Sequence, residues 1–238
     1  MIAFLIPIKH FQNSNSYHYL WELLNQTLRS ILANEGDFHI FIAANKELPF
    51  DPDIDTSKVT VKIVNTNPIP INQPTKQDKN YLEHKFDKTT KRLALLEDED
   101  VKSLNPTHFF MMDGDDLLSN RIVKFINKRR KRPVFIIDRG HFYKVDSELI
   151  CNKEDFNRHC GSSVVLSSKI VYNNMDNWEW SVEWIGRHKI QRTYGDILKV
   201  PFYASVYRLH PDCVSAYMFR REGNWRKPTL QETKEFKL

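Results

Sequence analysis

The sequence predicts an α/β protein: an open, mostly parallel twisted sheet flanked by helices, with a looser C-terminal half. Three observations carry this. Short, nearly unbroken apolar runs recur through residues 1–140, as strands buried on both faces require. Between most of them lie segments whose apolar residues have helical spacing, and that alternation argues for parallel strands joined by crossover helices. One run, Phe109 to Met112, leads straight into Asp113, Gly114, Asp115 and Asp116, a crowding of acid suited to the ligand-binding end of such a sheet.

Ile2 to Ile8 is almost wholly apolar and closes on Lys9 and His10, so it reads as a buried first strand. Tyr17, Leu20, Trp21, Leu24, Leu28 and Ile31 then recur at helical spacing, with Gly36 placed as the C-terminal cap. Phe38 to Ala44 and Val59 to Val64 are the second and third strands. Asn65 to Asn80 holds three prolines among polar residues and reads as a long, mobile loop. A helix from about Asn80 to about Asp98 carries Leu82, Phe86, Leu93 and Leu96 on one face. His108 to Met112 is the fourth strand, Ser119 is placed to cap a helix ending before Pro133, and Val134 to Ile137 is the fifth. Beyond Asp138 the pattern loosens into short apolar pieces, with a helix expected near Trp178 to His188. The chain has 238 residues, no internal repeat and no clear linker, so a single domain with two halves, 1–140 and 141–238, is expected.

Hydrophobic residues make up 41% of the chain, enough for a real core, and the net charge of +5 suits an anionic partner. Three cysteines (Cys151, Cys160 and Cys213) are an odd number without CxxC spacing. That argues against a disulfide scaffold or structural zinc and for a reducing compartment. The segment MIAFLIPIKH has no basic region ahead of its short apolar run, and no run reaches the ~18 apolar residues of a membrane span. The expectation is a cytoplasmic protein, at most peripheral to the inner face of a membrane.

Three carboxylates at one strand end repel each other unless a cation or hydrogen-bond donors hold them. A divalent ion answers that, and oxygen ligands favour Mg²⁺ or Mn²⁺. The plainer alternative is a solvated turn that also favours the start of the next helix. On the preceding helix Lys85, Lys88 and Arg92 form a line bordering the apolar face, placed either to reach an anionic ligand or to line a solvated flank. KRRKR, Lys128 to Arg132, reads as a solvated helix end or as a site of attraction to an anionic membrane leaflet. Nucleic acid is not expected, because no recognised binding signature occurs. GxSxG, Walker A and GxGxxG are all absent, which removes hydrolase, P-loop and dinucleotide readings.

The order AFLIPIKH, TLRSI, FHIFIAANKE, FFMMDGDDLLSNRIVKFI, then GSSVVLS, IGRHKI and YRLHPDCVS, resembles the GT-A glycosyltransferases, most nearly the family 2-like bacterial enzymes with an Asp-x-Asp motif. The resemblance implies a GT-A-like fold and transfer of a sugar from a nucleotide-diphosphate donor to a hydroxyl of a glycan or lipid-linked acceptor. It implies a nucleotide-sugar-binding half at 1–140 and an acceptor-side half at 141–238. Pro7, Lys9, His10, Lys88, Arg92, Asp113 and Gly114 would meet the donor, and Asp115 and Asp116, with His210, would hold Mn²⁺ or Mg²⁺. Gly161, Ser162, Trp180 and His188 would lie on the acceptor side, Trp180 as a platform for a sugar ring. The Glu-Asp pair that supplies the base in such enzymes is absent from the corresponding tryptophan-rich region, DNWEWSVEW, which leaves Glu183 and Asp176 as the candidate bases. A non-catalytic nucleotide-sugar or glycan-binding module on the same fold is the alternative that this absence favours.

Overall fold

The computed structural model describes residues 1–13, 16–66, 79–175, 194–210 and 223–238; within these, the side chains of 13 and 79–85 are not described. Strands β1 (Ile2–Pro7), β2 (Phe38–Ala44), β3 (Val59–Ile63), β4 (His108–Met111) and β6 (Val134–Ile136) are the five anticipated from the apolar runs. They join β9 (Val164–Ser167) and β10 (Ile197–Lys199) in a seven-stranded sheet of order β10-β6-β9-β4-β1-β2-β3. Only β9 runs against its neighbours, pairing antiparallel with both β4 and β6. Two strands from the C-terminal half therefore complete the sheet that the N-terminal half begins.

Strand β1 shows why these runs need burial on both faces. Ile2, Phe4 and Ile6 pack with helix α1 (Tyr17–Leu32) and helix α4 (Ile122–Asn127), while Ala3 and Leu5 pack with helices α2 (Lys79–Leu96), α3 (Glu99–Ser103) and α5 (Ser168–Tyr172). Every residue of β1 is buried, so a polar substitution on either side would be costly.

A smaller sheet, order β5-β11-β7-β8, is made by β5 (Leu117–Leu118), β7 (Gly140–Lys144), β8 (Leu149–Lys153) and β11 (Ser205–Leu209). Helix α6 (Leu230–Phe236) packs Phe236 against Leu117 and Val206 of this sheet. The acidic segment is the short link between the two sheets, since β4 ends at Met111 and β5 begins at Leu117.

Three local expectations are corrected. The cap of α1 is Ala33, and Gly36, at φ +128°, lies in the turn before β2. The N-cap of α4 is Arg121 rather than Ser119, whose hydroxyl is bonded to Glu235, and α4 stops at Asn127 because the basic run forms turns. Phe86 is 71% exposed; Leu96 is buried as expected, but it shares the helix's buried residues with Asp87, Thr89, Lys91, Arg92 and Leu95. Those residues are largely polar because the helix covers strand ends that carry polar groups of their own. The expected helix near Trp178 to His188 lies outside the described residues, as does most of the expected loop Asn65 to Asn80. Among the described residues no helix is long and apolar enough to cross a membrane.

Candidate active site

At the C-terminal end of β4, Asp113, Asp115 and Asp116 place one oxygen each within 4.8 Å of one another. The chain answers these three like charges in three ways. Asp113 Oδ1 accepts from Lys88 Nζ and, at 3.1 Å, from Arg92 Nη2, both reaching over from α2. Asp115 Oδ2 lies 2.8 Å from His210 Nε2, at the end of β11. Burial pushes Asp115 upward, but the His210 hydrogen bond and the charges of His210, Arg208 and Lys88 outweigh it and hold the carboxyl at about 2. Among the described residues Asp116 has no salt-bridge partner. Burial, followed by the repulsion of Asp115 and Asp113, raises it well above the carboxylate range, against the pull of hydrogen bonds from Ser162 and Cys160.

The turn is held by its neighbours. Ser162 Oγ accepts the Asp113 N–H at 2.8 Å and donates to Asp116 Oδ2 at 2.6 Å. Cys160 Sγ donates to the same oxygen at 3.2 Å. The next residue, Gly161, is packed so close that a Cβ there would stand 2.7 Å from Asp113 Oδ2. Gly114 is equally tight, with a Cβ position 2.7 Å from Ile8 Cδ1, and its carbonyl accepts from Thr27 Oγ1 at 2.9 Å. Beneath the turn, Arg208 is fully buried. It donates to the Asp115 carbonyl, to Gln26 Oε1 at 2.5 Å, to Leu23 O at 2.6 Å and to Thr27 Oγ1 at 2.8 Å. Burial lowers this guanidinium to about 10, so it remains a cation at neutral pH and ties α1 to the acidic turn.

Pro7 ends β1, and the chain passes at once to Lys9 and His10. His10 is buried, accepts the Gln12 N–H at 3.2 Å and stacks on Phe11 with ring centroids 4.7 Å apart. Burial, then the nearby Lys91, lowers its pKa. Lys91, wholly buried on α2, donates to Ile8 O at 2.7 Å and to Asp87 Oδ2 at 2.9 Å. Asp87 Oδ1 in turn accepts from Thr66 Oγ1 at 2.6 Å, and Thr66 Oγ1 accepts from Asn45 Nδ2 at 2.8 Å. This chain of bonds ties together the ends of β1, β2 and β3.

The structure thus brings Asp113, Gly114, Asp115, Asp116, Lys88, Arg92, His210, Gly161 and Ser162 to one place. Gly161 and Ser162, expected on the acceptor side, lie directly against the acidic turn. Asp176, Trp180, Glu183 and His188 lie outside the described residues, so neither candidate base is positioned. Arg208, Cys160, Lys91 and Asp87 escaped the sequence reading. Arg208 had a usable signal: it stands two residues before His210, and alternate residues of a strand share a face.

The residues fit a divalent cation. Besides the three converging carboxylates, Asp116 Oδ1 and His210 Nδ1 are buried without a hydrogen-bond partner among the described residues. Such orphaned atoms cost stability unless something completes them.

No family model matches the chain, and no curated protein does. Among solved structures, the chain resembles Staphylococcus aureus TarS 1-349 at TM-score 0.49 and 11% identity, over 89% of this chain and 61% of that one. It also resembles TarS 1-349 in complex with UDP-GlcNAc, at TM-score 0.49 and 14% identity, over 94% and 59%. A third likeness, TM-score 0.44 and 8% identity over 86% and 88%, is to a protein described as a glucose-1-phosphate thymidylyltransferase from Bacillus anthracis in complex with a sucrose. The chain spans about three fifths of the TarS 1-349 chains it matches. With these TM-scores below 0.5, the functional argument rests on the site's own geometry.

Proposed function

We propose that this chain is a GT-A-type glycosyltransferase that moves a sugar from a nucleotide-diphosphate donor to a hydroxyl acceptor. The observation that carries the reading is the pairing of three acids at a central strand's C-terminal end with Lys88 and Arg92 of α2, both seated on Asp113. Such an end of an open α/β sheet is where ligands bind. Acids that gather a cation, next to two basic side chains, suit a diphosphate better than a neutral ligand.

Asp115 and Asp116 would hold Mn²⁺ or Mg²⁺, with His210 orienting Asp115 or joining the shell. The ion would supply positive charge against the negative charge that grows on the diphosphate as the sugar leaves. Lys88 and Arg92 transfer from Asp113 to diphosphate oxygens, where a fixed cation stabilises the departing charge more than the bound donor. Asp113, relieved of them, accepts a hydrogen bond from a donor hydroxyl. Lys91, itself held by Asp87, fixes the Ile8 carbonyl so that Lys9 and His10 stay placed beside the nucleotide. Glu183, or failing that Asp176, removes the acceptor proton. The acceptor is a hydroxyl of a glycan or lipid-linked glycan.

The test is a thermal-shift series with UDP and GDP, and with their sugar conjugates, with and without Mn²⁺. A ligand at about a hundred times its Kd stabilises by about 2.7 kcal/mol. In a chain of this size that raises Tm by about 5–10 °C. The expected result is a rise for one nucleotide class that needs Mn²⁺ and vanishes in Asp115→Ala. No rise with any nucleotide would end the proposal. A rise without detectable transfer or donor hydrolysis would favour the binding-module alternative.

A further inference from the structure

Among the described residues, the turn segment Lys128 to Arg132 is a strongly charged surface that the site does not use. All five side chains are exposed. Four acids near it are already matched: Glu35 by Lys124, Asp37 by the amino group of Met1, Asp196 by Arg132 and Glu235 by Arg121. Lys128, Arg129, Arg130 and Lys131 have no acidic partner among the described residues. Four consecutive cations without an acidic partner make this segment a local positive patch on a chain of net charge +5.

The segment is a built surface rather than a tail. Arg129 N–H donates to Ile126 O at 2.8 Å and Arg132 N–H to Arg129 O at 2.8 Å. The Arg132 carbonyl is fixed at 2.8 Å by Nε2 of the buried His108. Two aromatics continue the face. Arg129 lies over Phe125 at 4.1 Å and Arg121 over Phe202 at 4.3 Å, and the two rings meet edge-on at 5.6 Å. Guanidinium groups set on half-buried rings beside further cations match the boundary of a bilayer, where phosphates meet the first apolar depth. A nucleic acid fits less well. Its bases need open ring faces for stacking, and here those faces carry arginines.

We propose that this face docks the protein on an anionic phospholipid surface. His108, bonded to Arg132, opens β4, and the acidic turn follows the far end of that strand. At ~3.3 Å per residue, about 17 Å of strand separates the two. The candidate active site therefore lies at the opposite end of β4 from the basic segment.

The test is co-sedimentation of the full chain with vesicles of phosphatidylcholine alone and of phosphatidylcholine with phosphatidylglycerol, at about 0.1 M and about 0.5 M salt. Binding is expected only to the anionic vesicles and only at the lower salt. The triple variant K128E/R130E/K131E is expected to bind more weakly by at least about a hundredfold, since each lost cation near such a surface contributes about fivefold and each added glutamate is repelled as well. Its melting temperature should match the parent, because none of the three side chains packs in the core. Three results would overturn the proposal: equal binding to both vesicle types, undiminished binding by a folded triple variant, or complete release from vesicles by single-stranded RNA at matched phosphate concentration. The last would reassign the face to nucleic acid. None of these readouts depends on nucleotide binding, so the docking surface and the transferase reading stand or fall separately.

Discussion

Of the three acids in the turn, Asp116 is the most enclosed. It is wholly buried, it accepts from Ser162 and Cys160 on one oxygen, and its other oxygen has no partner among the described residues. Burial and two neighbouring carboxylates raise its pKa well above the ordinary range, so the folded protein keeps its proton at pH values where the unfolded chain has lost it. The sign follows from linkage: the stabilising contribution is full below the unfolded value, near 4, and is progressively lost as pH rises toward the folded one. Asp116→Asn keeps the shape and an acceptor oxygen while removing the titration. In chelator, Asp116→Asn should melt higher than the parent at pH 8, by about 2–4 °C for ~1 kcal/mol. The two should converge toward pH 4. A difference that stays constant across the range would mean that Asp116 is ionised in the folded state. The same variant should lose the Mn²⁺-dependent nucleotide response, because a neutral amide is a poor substitute for a carboxylate on a hard cation.

At the scale of the element, α2 is the instructive case. Its sequence pattern points Leu82, Phe86, Leu93 and Leu96 inward, yet Phe86 is 71% exposed and Lys91 is completely buried. Lys91 bridges Ile8 O and Asp87, and Asp87 continues to Thr66. Removing one partner of a buried pair strands the other. Lys91→Met should therefore destabilise by about 3–5 kcal/mol in urea unfolding, while Lys91→Met with Asp87→Leu should recover most of the loss. If the double variant is no better than the single, the pair is not coupled. Hydrophobic spacing could not foresee this face, since a buried lysine and an exposed one look alike in a sequence. What spacing did read was whatever is set by local burial: the five strands that the N-terminal half gives to the large sheet, with β2 matching Phe38 to Ala44 end for end, but not the two-residue β5. It did not read the insertion of β9 between β4 and β6, because the partners of a four-residue strand are chosen by distant segments. Likewise the acidic turn was legible from its own residues; for Arg208 the sequence offers only its alternation with His210, and its bonds to the Asp115 carbonyl and to α1 come from the packing of β11.

At the scale of the whole molecule, the acidic turn is a seam: β4 belongs to the large sheet and β5 to the small one, with only residues 112–116 between them. Whatever fixes β5 therefore fixes one side of the candidate metal site, and α6 does so from the far end of the chain. Glu235 accepts from Ser119 Oγ at 2.5 Å and from Arg121 Nη2 at 2.7 Å, the Glu235 carbonyl accepts the Asn120 N–H at 3.3 Å, and Phe236 is buried on Leu117. A complete capping box at Thr229 and Glu232 starts the helix, so its register on β5 is well set. Removing residues 229–238 gives up burial of Phe236, about 3–5 kcal/mol on its own, and leaves Leu117 and Val206 open to water. Tm should fall by about 10 °C or more. The Mn²⁺-dependent shift with nucleotide should weaken as well, although no residue of α6 belongs to the acidic cluster. Glu235→Gln separates the two effects. It keeps Phe236 in place and weakens only the grip on Ser119 and Arg121, so it should lower Tm by about 1–3 kcal/mol's worth and reduce metal affinity measured by Mn²⁺ titration. Leu230→Ser, at a position 71% exposed, should change neither. If Glu235→Gln lowers Tm but leaves Mn²⁺ affinity at the parent value, α6 is only packing, and the turn's geometry is fixed wholly by Arg208, Ser162 and Thr27.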